Sequence, residues 1–109
     1  MDLKISWDTL PEEDLGDVRR RIFTGKNVMV VRNVIKPRAV LSAHTHPHEQ
    51  MIYVVEGECE AVIDGKTYPM KSEDIALVPG DVLHQVINTQ DKELIILDIF
   101  SPIREDFLK

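Results

Sequence analysis

Residues 44–57 read HTHPHEQMIYVVEG, a histidine-rich opening that runs straight into a mostly apolar strand. Three of the chain's four histidines fall between His44 and His48. Strand side chains alternate between faces, so His44 and His46 point the same way. Two imidazoles on one face, two residues apart, can chelate a single ion. Pro47 disturbs the ladder, so the alternation does not carry safely to His48 and Gln50. The fourth histidine, His84, lies in PGDVLHQVIN, after a Pro79-Gly80 turn and at the start of a strand. If the sheet folds over, His84 meets the first pair. Neutral imidazole is a borderline-soft ligand and suits a divalent transition metal. Histidines also sit harmlessly on surfaces or in satisfied cores, but a distant partner behind its own turn favours the metal.

Outward from this stretch, strand signals dominate. Val28–Ile35 alternates and is rich in β-branched residues. Val40–His46 reads as a further strand ended by Pro47. Met51–Glu56 and Cys59–Ile63 flank Gly57, a turn. Asp64-Gly65 sits between CEAVI and KTYPM, a strong two-residue hairpin signal because both turn positions want positive φ. Ile75–Val78, Leu83–Asn88 and Leu94–Phe100 complete the set. Many short strands with regular turn punctuation predict an all-β sandwich or barrel. Helix is scarce: Thr9 can cap one short turn up to Glu12, and the tail REDFLK can form another. No repeat, low-complexity segment or linker divides the 109 residues, so one domain over 1–109 is expected.

Composition narrows the function classes. A formal net charge of −6 works against nucleic acid, whose binding needs basic surface. No stretch is long and apolar enough to span a membrane. The start, MDLKISWDTL, lacks the basic region and apolar run of a signal peptide, so a cytoplasmic location is expected. The single Cys59 alternates with Ala61 and Ile63 and reads as a small buried side chain. The one basic cluster, Arg19-Arg20-Arg21, reads as a solvated strand or turn end. The sharper reading is that one of these arginines reaches an anionic ligand.

The stretch from His44 to Gly57 resembles the first motif of the cupins, G-x5-H-x-H-x3,4-E-x6-G. Residues 73–88, EDIALVPGDVLHQVIN, resemble the second, G-x5-P-x-G-x2-H-x3-N. Two motifs in order cover most of the chain, roughly residues 28–101. The resemblance implies a small RmlC-like jelly-roll barrel with a metal inside one end. It implies His44, His46, Gln50 and His84 as ligands of one divalent transition ion, whether nickel, zinc, manganese or iron. It also implies a homodimer, since small cupins commonly pair through sheet edges. Three glycines of the motifs are replaced, by Arg38, Glu73 and Asp81. Gln50 stands where the commonest family ligand is Glu. Three neutral imidazoles and a neutral amide leave an ion's charge uncompensated, which favours an anionic substrate or intermediate. His48 and Glu49 read as loop residues at the rim.

The other informative stretch is LIILDIFSPIREDFL, residues 94–108. Asp98 interrupts a strongly apolar strand, and a buried carboxylate is costly unless paired. Alternation puts Asp98 and Phe100 on one face, and Arg104 follows Pro102. A structural ion pair or a solvent-facing Asp98 is the plain alternative to a carboxylate inside the barrel. The D-x-F-x3-R pattern is similar to that of the pectin-degradation cupins, the KdgF group. That resemblance implies Asp98, Phe100 and Arg104 as active-site residues. It also implies linearisation of 4,5-unsaturated monouronates, small anionic sugars from pectin or alginate. The competing expectations are a metal-dependent dioxygenase and a sugar-binding cupin without turnover.

Overall fold

The computed structural model describes residues 3–109. Nine strands form two antiparallel sheets. β1 (Glu13–Asp14), β2 (Val18–Thr24), β3 (Met29–Ile35), β9 (Leu94–Ser101), β4 (Glu49–Glu56) and β7 (Ile75–Val78) make the larger sheet, in that spatial order. β6 (Lys66–Lys71), β5 (Glu58–Ile63) and β8 (His84–Asn88) make the smaller. The two face each other across a jelly-roll core, as expected for an all-β chain with little helix. The tight Asp64-Gly65 hairpin joins β5 to β6, with φ of 53° and 79° at its two central residues.

The inward faces follow the alternation of the sequence. Ile35, Ile52, Val54, Ala61, Leu94 and Ile96 form the main core, each at most 1% exposed. Full burial of such side chains contributes about 1.5–3 kcal/mol apiece. Cys59 lies in the same core, and desolvation pushes its thiol up to about 11, so it is an inert space-filler. Met29, Val31 and Phe100 form a second cluster, closed by Ile22, Ile103 and Phe107. Between the two clusters the inward register turns polar on three adjacent strands. Asn33 stands on β3, Asp98 on β9 and Gln50 on β4. That interruption of an apolar wall locates the candidate site.

Several sequence expectations need adjustment. Val40–His46 is not a strand: its backbone pairs with the smaller sheet in isolated bridges at Val40–Ile87 and His44–His84. Pro47 and the need to turn the chain into β4 keep it from running a full ladder. The N-terminal turn spans Trp7–Thr9, so Thr9 ends it instead of capping it. The tail does form a 3₁₀ turn, Glu105–Leu108. Arg19, Arg20 and Arg21 sit on β2 and are held by Glu93, Glu13 and Glu12, at 3.0, 3.1 and 3.4 Å. The cluster is structural, as the plainer reading has it, but it is not a solvated strand end: all three arginines are half-buried, and Arg21 also donates to the Trp7 and Leu10 carbonyls. No helix among the described residues is long and apolar enough to cross a membrane.

Arg38, Glu73 and Asp81, which replace motif glycines, have φ of 61°, 80° and 65°. The turns thus keep the left-handed backbone that glycine serves, at a cost of about 1–2 kcal/mol for an L-residue. Glycine gives back part of that gain as backbone entropy. Asp81 is exposed, so Asp81→Gly should stabilise the fold by about 0.5–1 kcal/mol. Thermal unfolding should show a midpoint roughly 2–4 °C higher. A lower midpoint would show that the turn draws stability from the aspartate side chain.

Candidate metal and active site

The two histidine motifs meet through their backbones. His44 N–H donates to the His84 carbonyl at 3.0 Å, and His84 N–H donates back at 3.1 Å. The Pro79-Gly80 turn clasps the next residues: Asp81 N–H donates to the His46 carbonyl at 2.8 Å. Gly80 is needed for this approach, since a Cβ there would come within 2.5 Å of the Pro47 carbonyl oxygen. The result is a cluster of His44, His46 and His84 whose candidate ligand atoms all lie within 4.8 Å of one another. His44 is exposed at the mouth, and His46 and His84 are 7% and 3% exposed.

Each ring is oriented by a backbone carbonyl two residues away. The Nδ1 atoms of His44, His46 and His84 face the carbonyls of Ser42, His48 and Val82 at 3.1, 3.1 and 2.8 Å. A carbonyl only accepts, so these contacts place the proton on Nδ1 and leave each Nε2 lone pair free. Such outer contacts fix the tautomer of ligating histidines in metal sites. His84 Nε2 is buried without a hydrogen-bond partner. His46 Nε2 lies 2.9 Å from Gln50 Oε1, although both atoms are then acceptors. A cation resolves both anomalies. A cation shared by His46 Nε2, His84 Nε2 and Gln50 Oε1 would give each of these acceptors the partner it lacks. Desolvation lowers the basicity of His46 and His84, and Arg104 adds to the effect. Neutral imidazole is the ligating form, so the donor set fits a divalent transition ion.

Gln50 links this cluster to Asp98. Its amide nitrogen donates to Asp98 Oδ1 at 2.8 Å, and Asn33 donates to Asp98 Oδ2 at 2.7 Å. Desolvation pushes the Asp98 carboxyl up to about 6, against the opposing pull of those two donors and of Arg104. Asp98 is half-buried, with both carboxylate oxygens held by the inward-facing amides of Gln50 and Asn33. Asn33 was not singled out from the sequence. Its signal is there, a polar residue on the inward face of Met29, Val31 and Ile35.

Phe100 and Arg104 complete the wall. Phe100 is 3% exposed, with its ring 5.6 Å from that of His46 and 5.7 Å from that of Phe107. It supports its neighbours and offers no open face to a sugar. Arg104 is 9% exposed and lies 5.1 and 4.1 Å from the centres of the Phe100 and Phe107 rings. His48, outside the three-histidine cluster, lines a cavity of about 640 Å³ with Lys26, His46, Ile103, Arg104 and Asp106.

Comparison with known proteins agrees with this geometry. A family model described as "Cupin domain" matches residues 31–100. The pectin degradation protein KdgF of Dickeya dadantii is 35% identical over 104 residues, covering 93% of this chain and 94% of that protein. An RmlC-like cupin from Shewanella frigidimarina superposes with a TM-score of 0.90 at 30% identity, over 98% of this chain and 96% of that one. The structure of KdgF from Halomonas has the same fold, with a TM-score of 0.90 at 24% identity over 98% and 99% of the two chains.

If the cluster holds the ion, purified protein should carry close to one divalent transition ion per chain by elemental analysis. His84→Ala removes the buried, unpartnered nitrogen and should leave the site largely empty. Circular dichroism should show the strand content retained. Undiminished metal in that variant would exclude His84 as a ligand.

Proposed function

Because the chain belongs to the cupin family, we propose that it is a metal-dependent enzyme that linearises 4,5-unsaturated monouronates. The observation that carries this reading is the line Asn33–Asp98–Gln50–His46. It sets a carboxylate raised to about 6 beside the histidine cluster, with Arg104 lining the same cavity as His46. The likeness to the pectin degradation protein KdgF over nearly the whole chain supports it.

The substrate joins a hemiacetal to an enol ether and carries a carboxylate. A divalent ion, which His44, His46, Gln50 and His84 would hold, would supply Lewis-acid stabilisation for an oxyanion and a carboxylate. Gln50 is neutral and adds no charge that would weaken that stabilisation. Arg104 meets the substrate carboxylate. Asp98, with one donor on each oxygen, keeps lone pairs for the substrate and takes the proton of the anomeric hydroxyl. The C1–O5 bond then breaks, its electron pair stays on O5, and C1 becomes an aldehyde. The enolate formed at C5 becomes the ketone when C4 gains a proton, returned by Asp98. One proton leaves oxygen and one arrives at carbon, so no oxidant is consumed. Phe100 holds the ring of His46 and the guanidinium of Arg104 in place.

The test follows the ultraviolet absorbance of the conjugated double bond in 4,5-unsaturated galacturonate and its alginate-derived relative. It should decay faster with metal-loaded protein than in buffer, with an open-chain keto product by NMR and no oxygen uptake. Asp98→Asn should keep its metal and lose about 10²–10⁴ in rate. Decay equal to the buffer blank would defeat the reading. Binding without product would leave a sugar-binding cupin, and oxygen consumption a dioxygenase.

A further inference from the structure

Arg104 does not present a free fork. Its Nε donates to Asp106 Oδ1 at 3.1 Å and its Nη2 to Asp106 Oδ2 at 2.9 Å. One of the two bidentate edges of the guanidinium is therefore occupied within the protein. Nη1 has no hydrogen-bond partner among the described residues, and Arg104 and Asp106 both line the cavity that contains His46 and His48.

The surroundings show why a carboxylate belongs there. Phe100 and Phe107 meet at 90°, and the guanidinium sits in the corner between them. A ring face attracts a cation through its quadrupole. That attraction varies little when the cation turns about the ring axis, so the two rings hold the charge without aiming its N–H groups. Two parallel hydrogen bonds to a carboxylate do aim them. Asp106 is only two residues from Arg104, on the 3₁₀ turn of the C-terminal segment, so this aim is built locally.

We propose that Asp106 is a positioning residue that pins the Nε–Nη2 edge of Arg104 and so turns the Nη1–Nη2 end toward an anion in the cavity. The proposal rests on the reading that Arg104 meets the substrate's carboxylate. It changes that reading in one respect: the carboxylate is taken end-on, because the side edge is in use.

Simple electrostatics makes the test sharp. Asp106 is an anion beside an anion site, so deleting it should tighten carboxylate binding if charge alone matters. Positioning demands the opposite sign. Metal-loaded wild type, Asp106→Ala, Asp106→Asn and Asp106→Glu are titrated with acetate and with D-galacturonate. The Nε–H resonance of Arg104 is followed by NMR, and metal content is measured on each. In wild type, either carboxylate should shift that resonance, and neutral galactose should not. Asp106→Ala and Asp106→Asn should retain their metal but bind carboxylate about 10- to 100-fold more weakly. Asp106→Glu should recover part of the loss. Where turnover is measurable, the loss should fall on KM more than on kcat. Unchanged or tighter carboxylate binding in the metal-loaded Ala and Asn variants overturns the proposal. So does a wild-type Arg104 that no carboxylate perturbs. If carboxylates behave as expected while unsaturated uronates are not turned over, the proposed reaction fails and the positioning role stands.

Discussion

Two reciprocal backbone hydrogen bonds between His44 and His84 are the constraint on which the site depends. They join segments forty residues apart and carry one ligand candidate from each motif. An antiparallel bridge sets its two residues side by side, so the side chains start from adjacent roots. The rest of the site is arranged around that bridge. His46 follows two residues on, and the Pro79-Gly80 turn holds it from the far side. The larger sheet then supplies the opposite wall through Asn33, Gln50, Asp98 and Phe100.

The charge pattern of the cavity is set by what each wall can keep buried. On the histidine wall, desolvation above all, and the charge of Arg104 after it, oppose protonation of His46 and His84. The opposite wall holds one carboxylate, stabilised by two amide donors and still shifted upward by burial. Arg104 is the strong fixed charge of the interior, and Asp106 neutralises it in part at the rim. With a divalent ion in the histidine cluster, the pocket would be locally electropositive inside a protein of net charge −6. Surface pairs such as Arg20–Glu13 contribute little to stability by comparison.

The β-rich fold was legible because the sequence supplies alternation, a hairpin dipeptide and two spaced motifs. His44, His46 and His84 were legible for the same reason, and the structure brings them together. Asp98 was legible as a charge in an apolar strand. Val40–His46 was misread because a strand pattern does not say whether a partner is available along its length, and here only two bridges form. Asn33 escaped notice because an asparagine in a strand reads as outward-facing until its register is known. Asp106 escaped because REDFLK reads only as a short turn, and only the folded chain shows its carboxylate on a buried guanidinium. The role of Phe100 changed for a similar reason: alternation gives the face of a side chain, not the neighbours that cover it.

The weak tethering of residues 39–48 has a kinetic consequence. This segment hangs on the smaller sheet by scattered bonds, Leu41 N–H to the Val86 carbonyl and the His44–His84 pair among them. β3 and β9 by contrast share an unbroken ladder, and β9 and β4 share a long one with a single irregularity between Val54 and Glu56. Segments with few shared bonds detach in local fluctuations that leave the remaining fold intact. Two of the three histidines ride on such a segment, and the third stays on β8. An ion held among them would therefore leave by a local opening of that segment, with the barrel still folded.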